Sequence, residues 1–77
     1  MKTSIQIKLF ASLSRYMPNN SDRFPIVPGI TVRDLALNLG IPIESAKLIF
    51  VNGQKRDLSA MLSGKERVAI FPPVGGG

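Results

Sequence analysis

An α+β fold, with one main helix packed across a mixed sheet of four or five strands, is what this 77-residue sequence predicts. Three patterns carry the prediction. Apolar and polar residues alternate near both ends of the chain. An apolar repeat at helical spacing lies between two capping signals in the middle, and a continuous apolar run stops at Asn52-Gly53.

Ser4 to Leu9 places Ile5, Ile7 and Leu9 on one strand face and Gln6 and Lys8 on the other. Phe10 to Met17 has Leu13 and Met17 at helical spacing, which predicts a short helix stopped before Pro18. A polar loop of turn formers, Pro18 to Asp22, leads into Phe24-Pro25-Ile26-Val27. Pro25 confines that strand to a sheet edge, where a missing amide costs no ladder bond. Thr31-Val32-Arg33-Asp34 has the form of a capping box with Asp in place of Glu, and Val32, Leu35, Ala36 and Leu39 then recur at helical spacing before Gly40 and Pro42 end the helix. Leu48 to Val51 is a strand, Asn52-Gly53 a hairpin turn, and Gln54-Lys55-Arg56 the return. Leu58, Met61 and Leu62 predict a single covering turn of helix. Arg67 to Phe71 is a last strand, with Val68 and Ile70 on one face and Ala69 and Phe71 on the other. Pairing the first and last strands in parallel at the sheet centre, beneath the Val32 to Leu39 helix, buries both aliphatic faces. That arrangement is the β-grasp. The predicted organisation is a β-grasp domain over residues 1–71 and a flexible tail over residues 72–77.

Composition narrows the chemistry. A chain of this length buries only about 60% of the surface its unfolded form exposes, so the core must be efficient. With no cysteine and no histidine, disulfides, thiolate nucleophiles and most metal or general-base sites are excluded. Asp22, Asp34, Glu44, Asp57 and Glu66 are scattered singly, which argues against a paired-carboxylate mechanism. The net charge of +5 allows an acidic partner, but the ten Lys and Arg residues are dispersed and no aromatic ladder accompanies them, which argues against direct nucleic-acid binding. No apolar run approaches the roughly 20 residues of a membrane span, and a cytoplasmic protein is expected.

Beyond Phe71 the sequence reads Pro72-Pro73-Val74-Gly75-Gly76-Gly77. Pro72-Pro73 stiffens the base of such a tail, and glycines without Cβ atoms can enter a narrow site in another protein. The tail follows a strand directly in a domain without other reactive groups, and the sequence ends at Gly77 with no charged extension. The reacting group is therefore expected to be the C-terminal carboxylate of Gly77. Frayed terminal glycines without a role are the alternative. Because glycines supply little binding energy, the folded surface must hold the partner. Phe71, opposite Val68 and Ile70, is the first candidate anchor, with Phe10 and Ile49 after it, each also open to an ordinary core role. Pro72 and Pro73 fit either a partner contact or simple strand termination.

Leu9-Phe10-Ala11-Ser12-Leu13, Thr31-Val32-Arg33-Asp34-Leu35, Val51-Asn52-Gly53 and above all Val68 to Gly77 resemble the MoaD/ThiS family of ubiquitin-like sulfur carriers over nearly the whole chain. The Phe-Pro-Pro-Val lead-in to the glycines is most similar to the molybdopterin synthase small subunit. The resemblance implies that an activating enzyme, using ATP and magnesium, adenylates Gly77, and that a sulfur donor such as a cysteine desulfurase or rhodanese-like protein converts the adenylate to a thiocarboxylate. It further implies that Gly75 and Gly76, with Val74 behind them, enter the active site of a large synthase subunit, where sulfur passes to the pterin precursor. On this reading the chain is not itself an enzyme and binds no cofactor. A carrier for thiamine or tRNA thiolation, a ubiquitin-like modifier forming isopeptide conjugates, and a passive interaction module are the competing functions.

Overall fold

The computed structural model describes residues 3–73 and places six regular elements in the predicted order: β1 (Thr3–Leu9), β2 (Phe24–Ile26), α1 (Val32–Leu39), β3 (Leu48–Val51), β4 (Gln54–Arg56) and β5 (Arg67–Phe71). The five strands form one sheet in the order β2-β1-β5-β3-β4. Pro25 sits on the edge strand β2, opposite Ser4 of β1, where its missing amide is tolerated. At the centre β1 and β5 are parallel, with Ile7 opposite Val68 and Leu9 opposite Ile70. On the other side of β5, antiparallel β3 brings Ile49 opposite Ile70 and Val51 opposite Val68. The period of two then puts every one of these aliphatics on the same face. That face meets Val32, Leu35 and Ala36 of α1 in a core that also takes in Leu13, Ile26, Ile41 and Leu62, and among the described residues no polar or charged side chain is buried. This is the β-grasp, the ubiquitin-like α+β fold.

Eight residues are too few for a helix to be stable on propensity alone, so α1 depends on its caps and its packing. Thr31 Oγ1 accepts from the Asp34 amide at 3.1 Å and Asp34 Oδ2 accepts from the Thr31 amide at 3.1 Å, the reciprocal capping box. The two remaining free amides of the first turn, those of Val32 and Arg33, donate to the carbonyls of Ala60 and Leu58 at 2.9 and 3.0 Å. All the first-turn donors are thereby satisfied. Gly40, at φ +83°, ends the helix. Thr31→Ala is expected to lower stability by about 1 kcal/mol, the usual cost of losing an N-cap, measurable by urea denaturation.

That use of Leu58 and Ala60 explains why the predicted helical turn over Leu58, Met61 and Leu62 is not there. Instead Leu58 and Ser59 form a turn, closed by the Ala60 amide on the Asp57 carbonyl at 3.1 Å, and the chain then passes the start of α1, with a Thr31–Met61 bridge and the Leu62 amide donating to the Ile30 carbonyl at 2.7 Å. Its carbonyls are worth more as caps than as helix acceptors. Leu62 is buried, whereas Met61 is 67% exposed. The predicted short helix after β1 is a 3-10 helix, Ala11–Tyr16. With three residues per turn, the residue stacked below Leu13 is Tyr16, which packs against the core, and Met17 is exposed. A further 3-10 turn, Ile43–Ser45, precedes β3. The hairpin is as expected: Asn52 and Gly53 both have positive φ, +54° and +82°, the requirement of a tight type I′ turn.

The loop entering β5 is tied by one carboxylate. Glu66 accepts from the Ser63 amide at 2.8 Å, the Gly64 amide at 2.7 Å and the Ser63 hydroxyl at 3.0 Å. Partial burial pushes its pKa up, but these three donors outweigh that and hold it below the ordinary glutamate value. A depressed carboxylate contributes stability above its unfolded pKa and loses it as pH falls through the folded one. Replacing Glu66 with Gln should therefore flatten the acid side of the stability–pH curve, below the ordinary glutamate range, in a series of thermal melts.

Candidate functional site

The face of the sheet away from α1 is not covered by any other element among the described residues, and its composition changes from one end to the other. The alternation that sends Ile7, Leu9, Ile49, Val68 and Ile70 inward sends Lys8, Leu48, Phe50, Ala69 and Phe71 outward. Strand register gathers these into rows. Leu48 lies opposite Phe71 at the end of β5. Phe10, whose amide donates to the Ile70 carbonyl at 3.3 Å, follows directly on β1.

The three aromatic rings touch. Phe10 and Phe71 are stacked, with centroids 4.3 Å apart and planes 6° from parallel, and Phe50 meets Phe71 edge-on at 5.9 Å. Phe71 is half-buried by these neighbours, while Phe10 keeps 38% of its surface exposed. Such pairs contribute about 0.5–1.5 kcal/mol beyond area burial, so the rings hold one another as a preformed apolar patch. The patch stands at the point where β5 ends. The Phe71 carbonyl still accepts from the Lys47 amide at 3.1 Å, and Pro72 and Pro73 then have no amide with which to extend the ladder. Pro72 is half-buried and Pro73 exposed.

Phe71 and Phe10 are thus together on the accessible face. Ile49 is not. It is 2% exposed and faces the core opposite Ile70, because the parity of β3 is set by the Asn52-Gly53 turn and not by the apolar character of the run. Phe50, one residue on, takes the outward place. An unbroken Leu-Ile-Phe-Val run hides its parity, but counting back from the turn residue opposite Arg67 would have recovered it. Val74, Gly75, Gly76 and Gly77 lie outside the described residues.

Among the described residues no cluster of three or more His, Cys, Asp or Glu residues forms, and no helix is long and apolar enough to cross a membrane. Asp57 is engaged as a turn cap, accepting from the Ser59 hydroxyl and from the Ser59 amide at 2.9 Å. These bonds, the hydroxyl foremost, lower its pKa. What the face offers is an apolar patch beside the end of β5 and Pro72-Pro73.

Known structures share this architecture. A Haloferax volcanii protein, HVO 2177, superposes with a TM-score of 0.72 at 20% identity, over 99% of this chain and 88% of its own. A Pyrococcus furiosus protein described as a molybdopterin converting factor, subunit 1, gives 0.63 at 26% identity, over 94% and 99%. SAMP1 from Haloferax volcanii gives 0.64 at 23% identity, over 96% and 99%. No curated protein sequence matches the chain. The family model for the Mut7-C ubiquitin domain matches residues 2–75, and this small ubiquitin-like protein, MoaD/ThiS-like in its fold, belongs to the Mut7-C ubiquitin family.

Proposed function

We propose that the chain is a sulfur carrier that docks on a partner enzyme through the Phe10–Phe50–Phe71 patch and works through the carboxylate of Gly77. The observation that carries this reading is the position of the patch at the end of β5, where the central strand gives way to Pro72-Pro73 and a glycine sequence. A partner seated on the rings would receive whatever follows Pro73. The carboxylate attacks the α-phosphorus of ATP and expels pyrophosphate, and hydrosulfide then displaces AMP to leave a thiocarboxylate. A chain without cysteine has no internal thiol to intercept the acyl adenylate. The similarity to a molybdopterin converting factor subunit 1 supports a molybdopterin precursor as the sulfur acceptor, with a larger synthase subunit as partner. ATP and magnesium belong to the activating enzyme in this scheme.

ATP–pyrophosphate exchange by the activating enzyme tests the reading. The intact chain should support exchange, and a chain with an amidated C-terminus should not. Exchange that persists with the amide would remove the carboxylate from the mechanism. Phe71→Ala should raise the KM for the carrier about 10–100-fold, with a loss of folding stability limited to about 1–2 kcal/mol because the ring lies outside the core. Titrating the variant into the exchange assay, alongside a denaturation curve, separates the two.

A further inference from the structure

We infer that the outer sheet face takes an acidic protein segment next to the apolar patch, through a cationic field built by strand register. One row inward from the aromatic row, Lys8 and Lys55 flank Ala69 and Phe50. In the next row Gln6 lies opposite Arg67, and Arg23, the last residue of the 3-10 turn Ser21–Arg23 that leads into β2, lines the same depression as Gln6. Lys65 follows beside Ser4, to whose carbonyl its amide donates at 2.6 Å. Five of the ten basic residues of the chain, dispersed in sequence, thus share one face, and all five side chains are exposed.

Arg23, Lys65 and Arg67 border an open depression of about 350 Å³ with Ser4, Gln6 and the single carboxylate of Asp22. Three of the other four acids are held by hydrogen bonds, Asp34 capping α1, Asp57 capping its turn and Glu66 tying its own loop. The side-chain hydrogen bonds among the described residues engage carboxylates, hydroxyls and the Asn52 amide group, and Arg67 enters them through its main-chain amide, not its guanidinium. A field of one sign over part of a docking surface steers an oppositely charged partner and fixes its orientation.

The rings decide which polyanion fits. Phe10 and Phe71 cover one another and Phe50 abuts Phe71, so they present an apolar surface and not a row of separate platforms for stacking bases. Apolar patch and cationic field side by side match a protein surface with an apolar centre and an acidic rim. The inference rests on the carrier reading only for which enzyme bears that rim.

The test is an amide NMR titration of the full chain with a Glu-rich peptide carrying one central leucine and, separately, with an oligothymidylate of equal charge. The peptide should shift the amides around Gln6, Lys8 and Arg67 first, and its Kd should rise about tenfold between about 20 and 200 mM salt. Arg23→Gln/Lys65→Gln/Arg67→Gln should weaken it at least about fivefold, and Arg15→Gln/Arg33→Gln/Lys47→Gln, of equal charge change, less than about twofold. Equal losses in both triple variants, or shifts spread over all basic residues, would reduce the field to net charge and overturn the proposal. An oligothymidylate that binds tenfold tighter than the peptide would make the face a nucleic-acid surface and overturn it also. Since the probes do not require Gly77 chemistry, failure here leaves the carrier reading standing, and failed pyrophosphate exchange leaves this inference standing.

Discussion

Removing Gly76 and Gly77 is expected to abolish sulfur transfer, by at least about three orders of magnitude, because it removes the reacting group itself. The melting temperature should change by no more than ~1 °C. The two halves of that expectation come from different parts of the chain. Every residue of the core lies between Ile5 and Ile70, and the ladder of β5 closes at Phe71. Nothing beyond Pro73 is needed to account for a satisfied sheet and a buried core. The described residues include no cysteine and no group of three or more His, Cys, Asp or Glu residues that could hold a metal ion. Activity and melting temperature measured on one truncated preparation test both halves. A fall of many degrees would mean that the tail packs on the domain, and retained transfer would show that the reaction does not need a carboxylate at the position of Gly77.

Gly64→Ala should cost about 2–4 kcal/mol of folding stability. Gly64 has φ +132°, a conformation that residues with a Cβ rarely adopt. A Cβ there would also lie 2.9 Å from the Thr3 Cβ and collide with both outer atoms of that side chain. The neighbours cannot easily give way, because the Gly64 amide is held by Glu66 and the Lys65 amide by the Ser4 carbonyl. In a domain of this size the loss corresponds to a fall of roughly 10–20 °C in Tm. Thr3→Gly deletes all three colliding atoms while leaving φ unchanged, so in that background the penalty should shrink to about 1–2 kcal/mol, the dihedral part alone. An undiminished penalty would show that the dihedral carries the whole effect.

Local patterns made most of the architecture readable before the structure. The Ile5-Ile7-Leu9 alternation, the Thr31/Asp34 box with its Gly40 stop, and Asn52-Gly53 are each decided within a few residues, and each element forms where those signals put it. Elements settled by distant partners carry no such local signal. The 58–62 segment contains helix formers, but its carbonyls answer to the free amides of α1, some twenty-five residues earlier in the chain. The helical spacing of Leu13 and Met17 implies a 3.6-residue repeat that a 3-10 helix does not follow.

The candidate site divides in the same way. Phe71 could be placed on the outer face from parity within β5 alone, and Phe10 from its position just after Leu9. Phe50 could not be distinguished from Ile49 without the register that Asn52 imposes through its paired bonds with Arg67, each 2.9 Å. The clustering of Arg23, Lys65 and Arg67 depends on two different strand pairings. Dispersion of charge along a sequence says little about dispersion on a sheet, where cross-strand neighbours come from distant positions.

The most direct test of the carrier account is the intact mass of the protein after incubation with ATP, magnesium, its activating enzyme and a sulfur source, with fragmentation to locate the change. The account predicts replacement of one oxygen by one sulfur, confined to the C-terminal carboxylate of Gly77. An unmodified terminus in the presence of an activating enzyme shown to be active, or isopeptide-linked conjugates in its place, would contradict it.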